Sequence, residues 1–402
     1  MKDEDRTRSV SGPAQSDAPG GEDVAVQWRR VIRRRSFLHG VGAAGAALAG
    51  SRLARASSSR IPKGDADILR FLAAAEIIES DLWAQYAELG GVNGGNPAYM
   101  TALTNLDSDM PQYINDNTDD EFSHAAFINA YLASKGEQGV DLSRYLQPLG
   151  TKATGASQVG RLTNLKQLHV DTSWWTRYRS VDNIDVHSSA FFPQAVTINN
   201  QPAIPISDKD TDPNASAPPV PFGGVVTTQQ TRMQAIANAA GFHFAFIEQG
   251  GSSLYPTMAL QVTDVEVLRI LLSIGGVEID HFAVWHDKAG NAVPLTDPET
   301  GTVFPDLNGP PFNTMGQPHT PPGDNDNLFQ TNLILPEPTV FLSPSLPACS
   351  IIRPISPVHS GAQAAVKSLM ADNLFLGQSA AFLEAVMALA VKADAAKRNG
   401  DD

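Results

Sequence analysis

Residues 264–287 read DVEVLRILLSIGGVEIDHFAVWHD. Leu268, Leu271, Leu272, Gly275, Glu278, His281, Phe282 and Trp285 recur near a 3.6-residue period, so the stretch predicts an amphipathic helix opened by Asp264. Its apolar stripe contains an acid, Glu278, and a histidine three residues on, His281, which a helix projects from the same face one turn apart. A carboxylate inside a core stripe costs several kcal/mol unless it is paired or bound to a cation. Glu278 therefore needs a partner from elsewhere in the chain.

The same spacing occurs upstream as Glu121-Phe122-Ser123-His124, in a run 118–134 that can start as early as Pro111 and ends at Gly136. Two readings compete there. Thr118-x-x-Glu121 has the form of a capping box, in which Glu121 would only satisfy a backbone N–H, and His124 would then be an ordinary core histidine. Alternatively, the pair is a second Glu-x-x-His ligand set. Two further helical runs each carry one acid: Glu248 in 227–254, one residue after Ile247 and four after Phe244, and Glu76 in 65–89, among Phe71, Leu72, Ala75 and Ile78. Glu79, bordering that last face, competes with Glu76 as the first-helix ligand. Single Glu, Glu-x-x-His, single Glu, Glu-x-x-His is the inventory with which a four-helix bundle holds two metal ions. The predicted metal ligands are thus Glu76, Glu121, His124, Glu248, Glu278 and His281. Carboxylate and imidazole donors in that number suit Fe or Mn better than structural zinc. Open coordination positions would admit dioxygen or peroxide.

Between and beyond these runs the texture changes. Residues 97–106 read as a short helix, and 137–226 as an irregular insertion that carries Trp174-Trp175-Thr176-Arg177-Tyr178 and a short hairpin of 196–198 with 203–206. Pro256 marks the end of the third run or a kink in it. His243 and His286 fall off the acidic faces and read as packing or surface histidines. Residues 291–361 are rich in Pro, Asn and Gly, with possible strands at 333–335 and 339–342; 362–397 predicts one or two more helices. The expected fold is an all-α core: an antiparallel four-helix bundle within 57–288, a long irregular or short-β insertion (137–226) between helices two and three, and a C-terminal segment (289–402) whose helix packs on the bundle.

The chain has 402 residues and a formal net charge of −14. Residues 1–55 hold ten Lys/Arg against six Asp/Glu, which leaves 19 against 37, or −18, for the remainder. Such a body repels phosphate backbones, so a nucleic-acid partner is not expected. One cysteine, Cys349, excludes an intramolecular disulfide and any Cys-rich metal site. Residues 1–28 have the composition of a disordered segment. Arg33-Arg34-Arg35-Ser36-Phe37-Leu38-His39, the weakly apolar 40–50 and Ala54-Arg55-Ala56 then follow the order of a charged region, an apolar region and a cleavage site. Arg34-Arg35-x-Phe37-Leu38 resembles a twin-arginine export signal, departing from it at Arg33 and His39. The apolar part is well short of the ~20 residues that span a bilayer. Residues 1–56 are therefore expected to be an address, with the twin-arginine machinery as a partner and a periplasmic or extracellular destination.

The four runs in order resemble the ferritin-like superfamily, and within it the branch of desiccation-related proteins and their exported bacterial relatives. The residues that carry the resemblance are Ile68–Glu79 (ILRFLAAAEIIE), Asp120–Phe127 (DEFSHAAF), Ile247–Tyr255 (IEQGGSSLY) and Gly276–Ala283 (GVEIDHFA). It covers 65–136 and 227–288. Trp83 stands where the resemblance implies a tyrosine, and the long insertions depart from a hollow-cage ferritin while leaving a smaller homo-oligomer open. What the resemblance implies is a dinuclear centre, Fe favoured over Mn, with ferroxidase- or catalase-like activity toward Fe²⁺, dioxygen or peroxide. A non-enzymatic, stress-linked scaffold with a structural or vestigial site is the alternative.

Overall fold

The structure is a computed structural model that describes residues 60–174, 194–210, 228–305, 307 and 361–398. All of these lie in one unit, residues 58–402. The expected export signal, Trp175–Tyr178, the possible strands at 333–335 and 339–342, and Cys349 lie outside the described residues.

Seven α-helices occur among the described residues: α1 (Lys63–Gly90), α2 (Pro97–Thr104), α3 (Met110–Ser134), α4 (Thr228–Ala259), α5 (Val265–Ala289), α6 (Ala362–Ala371) and α7 (Ala380–Asp394). The core is all-α, as the periodicity predicts. The capping-box reading of Thr118 fails, because α3 begins at Met110 and Thr118 sits two turns inside it, its hydroxyl donating to the Ile114 carbonyl at 2.6 Å. The helix α4 continues through Pro256 to Ala259. Leu272 and Phe127, expected on apolar faces, are exposed. Around the acids, the buried stripe of α5 is Val267, Leu271, Ile274, Glu278, His281, Phe282 and Trp285.

Contacts along the helices fix their directions. On α1 and α3, Arg70 pairs with Glu137 just beyond α3 and the Trp83 carbonyl accepts from Thr118, so the two run antiparallel. On α4 and α5, Phe244 meets Trp285 and Gly251 meets Glu278, again antiparallel. Tyr255 reaches Glu76 while Tyr86 reaches His243, which makes α1 and α4 antiparallel neighbours. Tyr131 meets Glu266 and Asn117 meets Trp285, which does the same for α3 and α5. It follows that α3 and α4 lie parallel and diagonal, and the segment joining them is one long crossover. Asp65, in the first turn of α1, accepts from the backbone N–H groups of Thr263 and Asp264 and so fixes the entry to α5. There Asp264 serves as N-cap, accepting from Glu266 and Val267.

The described part of the crossover is irregular, with one 3-10 turn (Ser143–Tyr145) and two isolated antiparallel bridges, Gln147↔Arg161 and Leu168↔Gln201. The expected hairpin of 196–198 with 203–206 is absent. Gln201 pairs with Leu168 instead, and Ala203 N–H donates to the Leu165 carbonyl. Pro202 and Pro205 have no N–H to give a ladder, and Asn200 turns with φ +51°. A two-residue antiparallel pair, β1 (Leu295–Thr296) with β2 (Val303–Phe304), follows α5. The C-terminal helices pack on the bundle, α7 against α1 and α6 against α7. No helix among the described residues is long and apolar enough to cross a membrane.

Candidate metal centre

Each of the four long helices sends its acid to one level of the bundle. Glu76 comes from α1, Glu121 and His124 from α3, Glu248 from α4, and Glu278 and His281 from α5. All six are buried; Glu121, Glu248 and Glu278 are 0% exposed. They form two overlapping groups, Glu76–Glu121–His124–Glu278 and Glu121–Glu248–Glu278–His281, within each of which donor atoms lie within 4.8 Å of one another. Each group could hold a metal ion, and Glu121 and Glu278 belong to both. The structure therefore brings together all six residues singled out from the sequence. Glu79, the alternative on α1, belongs to neither group.

The imidazoles face inward through Nδ1. His124 Nδ1 lies 3.1 Å from Glu121 Oε2, 3.3 Å from Glu76 Oε2 and 3.5 Å from Glu278 Oε1. His281 Nδ1 lies 3.1 Å from Glu121 Oε1 and 3.4 Å from Glu248 Oε2. These approaches leave Glu76 Oε2, Glu248 Oε2, both Glu278 oxygens and His281 Nδ1 without an aligned hydrogen bond among the described residues. Buried polar atoms are nearly always bonded, so five orphaned donor atoms in one cluster fit a set of cation ligands.

Supporting side chains fix the set. Asn117 Nδ2 donates to Glu121 Oε1 (2.8 Å) and to Glu248 Oε1 (3.0 Å), and its Oδ1 accepts from Trp285 Nε1 at 2.6 Å. Tyr255 OH donates to Glu76 Oε1. His281 Nε2 meets Asp120 Oδ2 at 3.1 Å, the outward carboxylate that orients an imidazole for ligation through its other nitrogen. Below, Trp83 stacks on Phe244 (ring centroids 4.8 Å apart) and on Trp285 (5.3 Å), closing that side with apolar surface. Between α3 and α5 a surface groove lined by Asp116, Asp120, Asp280 and Gly276 reaches His281.

Crowded acids away from water hold protons. Burial first, partly offset by hydrogen bonds from His124 and His281, pushes Glu121 up to about 7. Burial and the carboxylates of Glu121 and Glu76 lift Glu278 well above the usual carboxylate range, and burial with Glu121 does the same to Glu79. For the imidazoles, burial opposes a charge. Hydrogen bonds to Glu121 and Glu76 more than offset it at His124, which rises to about 10. The carboxylates of Glu248, Asp120 and Glu121 likewise raise His281.

Sequence reading alone gives no role at the metal centre to Asn117, Asp120 or Tyr255, and marks Gly251 only as a small residue that lets helices approach closely. Helical spacing does contain a signal for three of them: Asn117 is four residues before Glu121, Gly251 three after Glu248 and Tyr255 seven after it, each on the ligand's own face. Among known families, a model described as a ferritin-like domain matches residues 64–291, more than half of the chain, spanning all six residues. No curated protein and no solved structure matches the chain.

Proposed function

This chain belongs to the ferritin-like domain family, and from that premise we propose that its buried centre binds two Fe or Mn ions, Fe favoured, for redox chemistry with Fe²⁺, dioxygen or peroxide. The observation that carries the reading is the sharing of Glu121 and Glu278 between two donor groups, since a carboxylate common to both can serve two ions at once. Glu76 and His124 complete one group and Glu248 and His281 the other. Such ions, when bound, supply one-electron redox steps and open positions for an oxygen ligand.

The chain's own residues would do the remaining work. Asn117 holds Glu121 and Glu248 in register, Tyr255 fixes Glu76, and Asp120 fixes which His281 nitrogen faces inward. Glu121 and Glu278 would give up their protons on binding cations, whose charge would then offset that of the crowded carboxylates. Trp83, Phe244 and Trp285 exclude water beneath the ligands. The groove with Asp116, Asp120 and Asp280 at its sides gives cations a path of favourable potential to His281.

Oxygen uptake on adding Fe²⁺, and peroxide loss by the loaded protein, test the redox reading. Both are expected in the wild type and absent in Glu278→Ala. A protein that takes up two ions and turns over neither substrate would instead be a structural metal protein. We further propose that residues 1–56 direct export by the twin-arginine route, on the strength of Arg34-Arg35-x-Phe37-Leu38 before a weak apolar run. Replacing both Arg34 and Arg35 with Lys should hold the protein inside the cell, and unchanged export would refute the assignment.

A further inference from the structure

Tyr86 and His243 are fully buried and belong to neither donor group. Tyr86 OH lies 2.8 Å from His243 Nδ1, and His243 Nε2 lies 3.1 Å from Asp372 Oδ2. Burial, opposed by His243, lifts Asp372 to about 6, so at neutral pH it is a carboxylate and can only accept. Nε2 therefore carries the ring proton, Nδ1 is left as a bare acceptor, and the phenol donates to it. Asp372 caps the C-terminal end of α6, outside the span 64–291 of family similarity. The tyrosine thus has its own base, oriented by a carboxylate that the C-terminal segment supplies. Aromatic rings join this pair to the metal centre. Ring centroids are 5.8 Å apart for Tyr86 and Trp83 and 5.3 Å apart for Trp83 and Trp285, and Phe244 packs against all three. Trp285 Nε1 donates to Asn117, which donates in turn to Glu121 and Glu248.

We propose that Tyr86 is a redox site, a buried tyrosine that yields one electron to the loaded centre through Trp83 and Trp285 and its phenolic proton to His243, becoming a neutral radical. The inference rests on the redox reading of the centre, whose oxidation by peroxide or dioxygen supplies the oxidant. The step balances one for one. The O–H bond of Tyr86 breaks, its proton forms the second N–H bond of His243 at Nδ1, and its electron reduces the oxidised centre by one equivalent. Proton and electron leave together, because a cationic phenol would be an unpaired buried charge. On His243 the positive charge stands beside the Asp372 carboxylate and is paired. The neighbours decide where the electron vacancy comes to rest. Trp83 Nε1 is buried and has no hydrogen-bond partner among the described residues, and Trp285 Nε1 meets only an amide oxygen, too weak a base to take its proton. Neither indole can shed a proton, so both relay the vacancy, and Tyr86, which has a base, retains it. Tyr255 donates instead to Glu76, a carboxylate whose charge a bound cation draws off. Trp83, Tyr86 and His243 are all 0% exposed, which keeps solvent reductants from the radical.

Electron paramagnetic resonance of the full-length chain tests it in two forms. Protein loaded with Fe²⁺ is mixed with hydrogen peroxide and frozen. Metal-free protein is frozen, illuminated at the red edge of the tryptophan band, where tyrosine does not absorb, and briefly annealed. A neutral tyrosyl radical is expected in both, its spectrum narrowed by ring-deuterated tyrosine. Tyr86→Phe should lose most of that signal and show a tryptophan radical in its place. His243→Gln keeps an acceptor for the phenol but no base, and should lose the signal with Tyr86 still present and helix content unchanged. One readout needs no substitution: wild type exchanged into deuterium oxide should lose one proton coupling, that of the proton shared by Tyr86 and His243. A tyrosyl signal unchanged in Tyr86→Phe or in His243→Gln, or one with no exchangeable coupling, would overturn the proposal. The two readings fail separately. A Tyr86 radical in the metal-free protein alone keeps Tyr86 and His243 as a redox pair and counts against the redox reading of the centre. No tyrosyl radical in either form overturns the proposal whatever the metal content.

Discussion

A Cβ built on Gly251 of α4 falls 2.1 Å from Glu278 Oε2 on α5. The carboxylate common to both donor groups therefore occupies space that only glycine leaves vacant. Gly251→Ala should force Glu278 aside while the helix itself gains, since Ala is favoured over Gly in a helix by about 1 kcal/mol. The expected outcome is metal affinity lower by about 10–100-fold with thermal stability equal to or above wild type. Metal titration and a melting curve on the same sample check it. Full affinity in Gly251→Ala would show that Glu278 is not held where the structure has it.

Asn117 ties two acids and an indole together through one amide. Asn117→Ala leaves Trp285 Nε1 without its acceptor and Glu121 and Glu248 without their shared donor. A loss of about 1–3 kcal/mol in unfolding free energy is expected for the metal-free protein. Denaturant unfolding followed by Trp fluorescence measures it.

Proton linkage gives the centre a signed pH dependence. Glu121 is raised to about 7 by burial, and Glu278 is raised above the carboxylate range by burial and its acidic neighbours. A carboxyl with a raised folded pKa adds stability that is fully present below its unfolded value, near 4.5, and is lost as pH rises through the folded value. The metal-free protein should thus lose stability between about pH 5 and pH 8. Metal displaces the same protons, so uptake should release protons and tighten as pH rises over that interval. Calorimetry in buffers of different ionisation heat would count them; no release at pH 6 would contradict the picture.

Outside the centre, His243 bridges Tyr86 OH (2.8 Å) and Asp372 Oδ2 (3.1 Å), joining α1 and α4 to the turn after α6. Burial, opposed by His243, lifts Asp372 to about 6. Its stability contribution is present below the ordinary value of 3.8 and is lost as pH passes about 6. Asp372→Asn should remove that slope, so its stability relative to wild type improves from pH 4 to pH 7. Melting temperatures of both proteins across this range decide it, and parallel curves would rule it out.

How much was legible in the sequence depends on whether the cause was local. The 3.6-residue period marked the long helices, and a charge in an apolar stripe marked Glu278, because both effects act within a few turns of one segment. The convergence of Glu76, Glu121, His124, Glu248, Glu278 and His281 followed from their order along the chain. Asn117 was legible only by its spacing, four residues before Glu121: an amide in a helix has no tell-tale cost until the acids it bridges are known to be adjacent. The pairing of Gln201 with Leu168 is a non-local choice, made because Pro202 and Pro205 cannot sustain a hairpin. Leu272 and Phe127 kept the helical period and still face outward, since the period fixes a face only to within about one residue. The contact of Asp372 with His243 needed α6, whose docking position no pattern in 362–397 specifies.

The central claim is that Glu121 and Glu278 together serve two ions. Its most direct measurement is elemental analysis of the full-length protein after anaerobic loading with Fe²⁺ and removal of loosely bound metal, in wild type and in a Glu121→Ala, Glu278→Ala double variant of unchanged helix content. The account predicts two ions per chain in the wild type and none in the double variant. A wild type that retains no metal, or a double variant that retains as much, would contradict it.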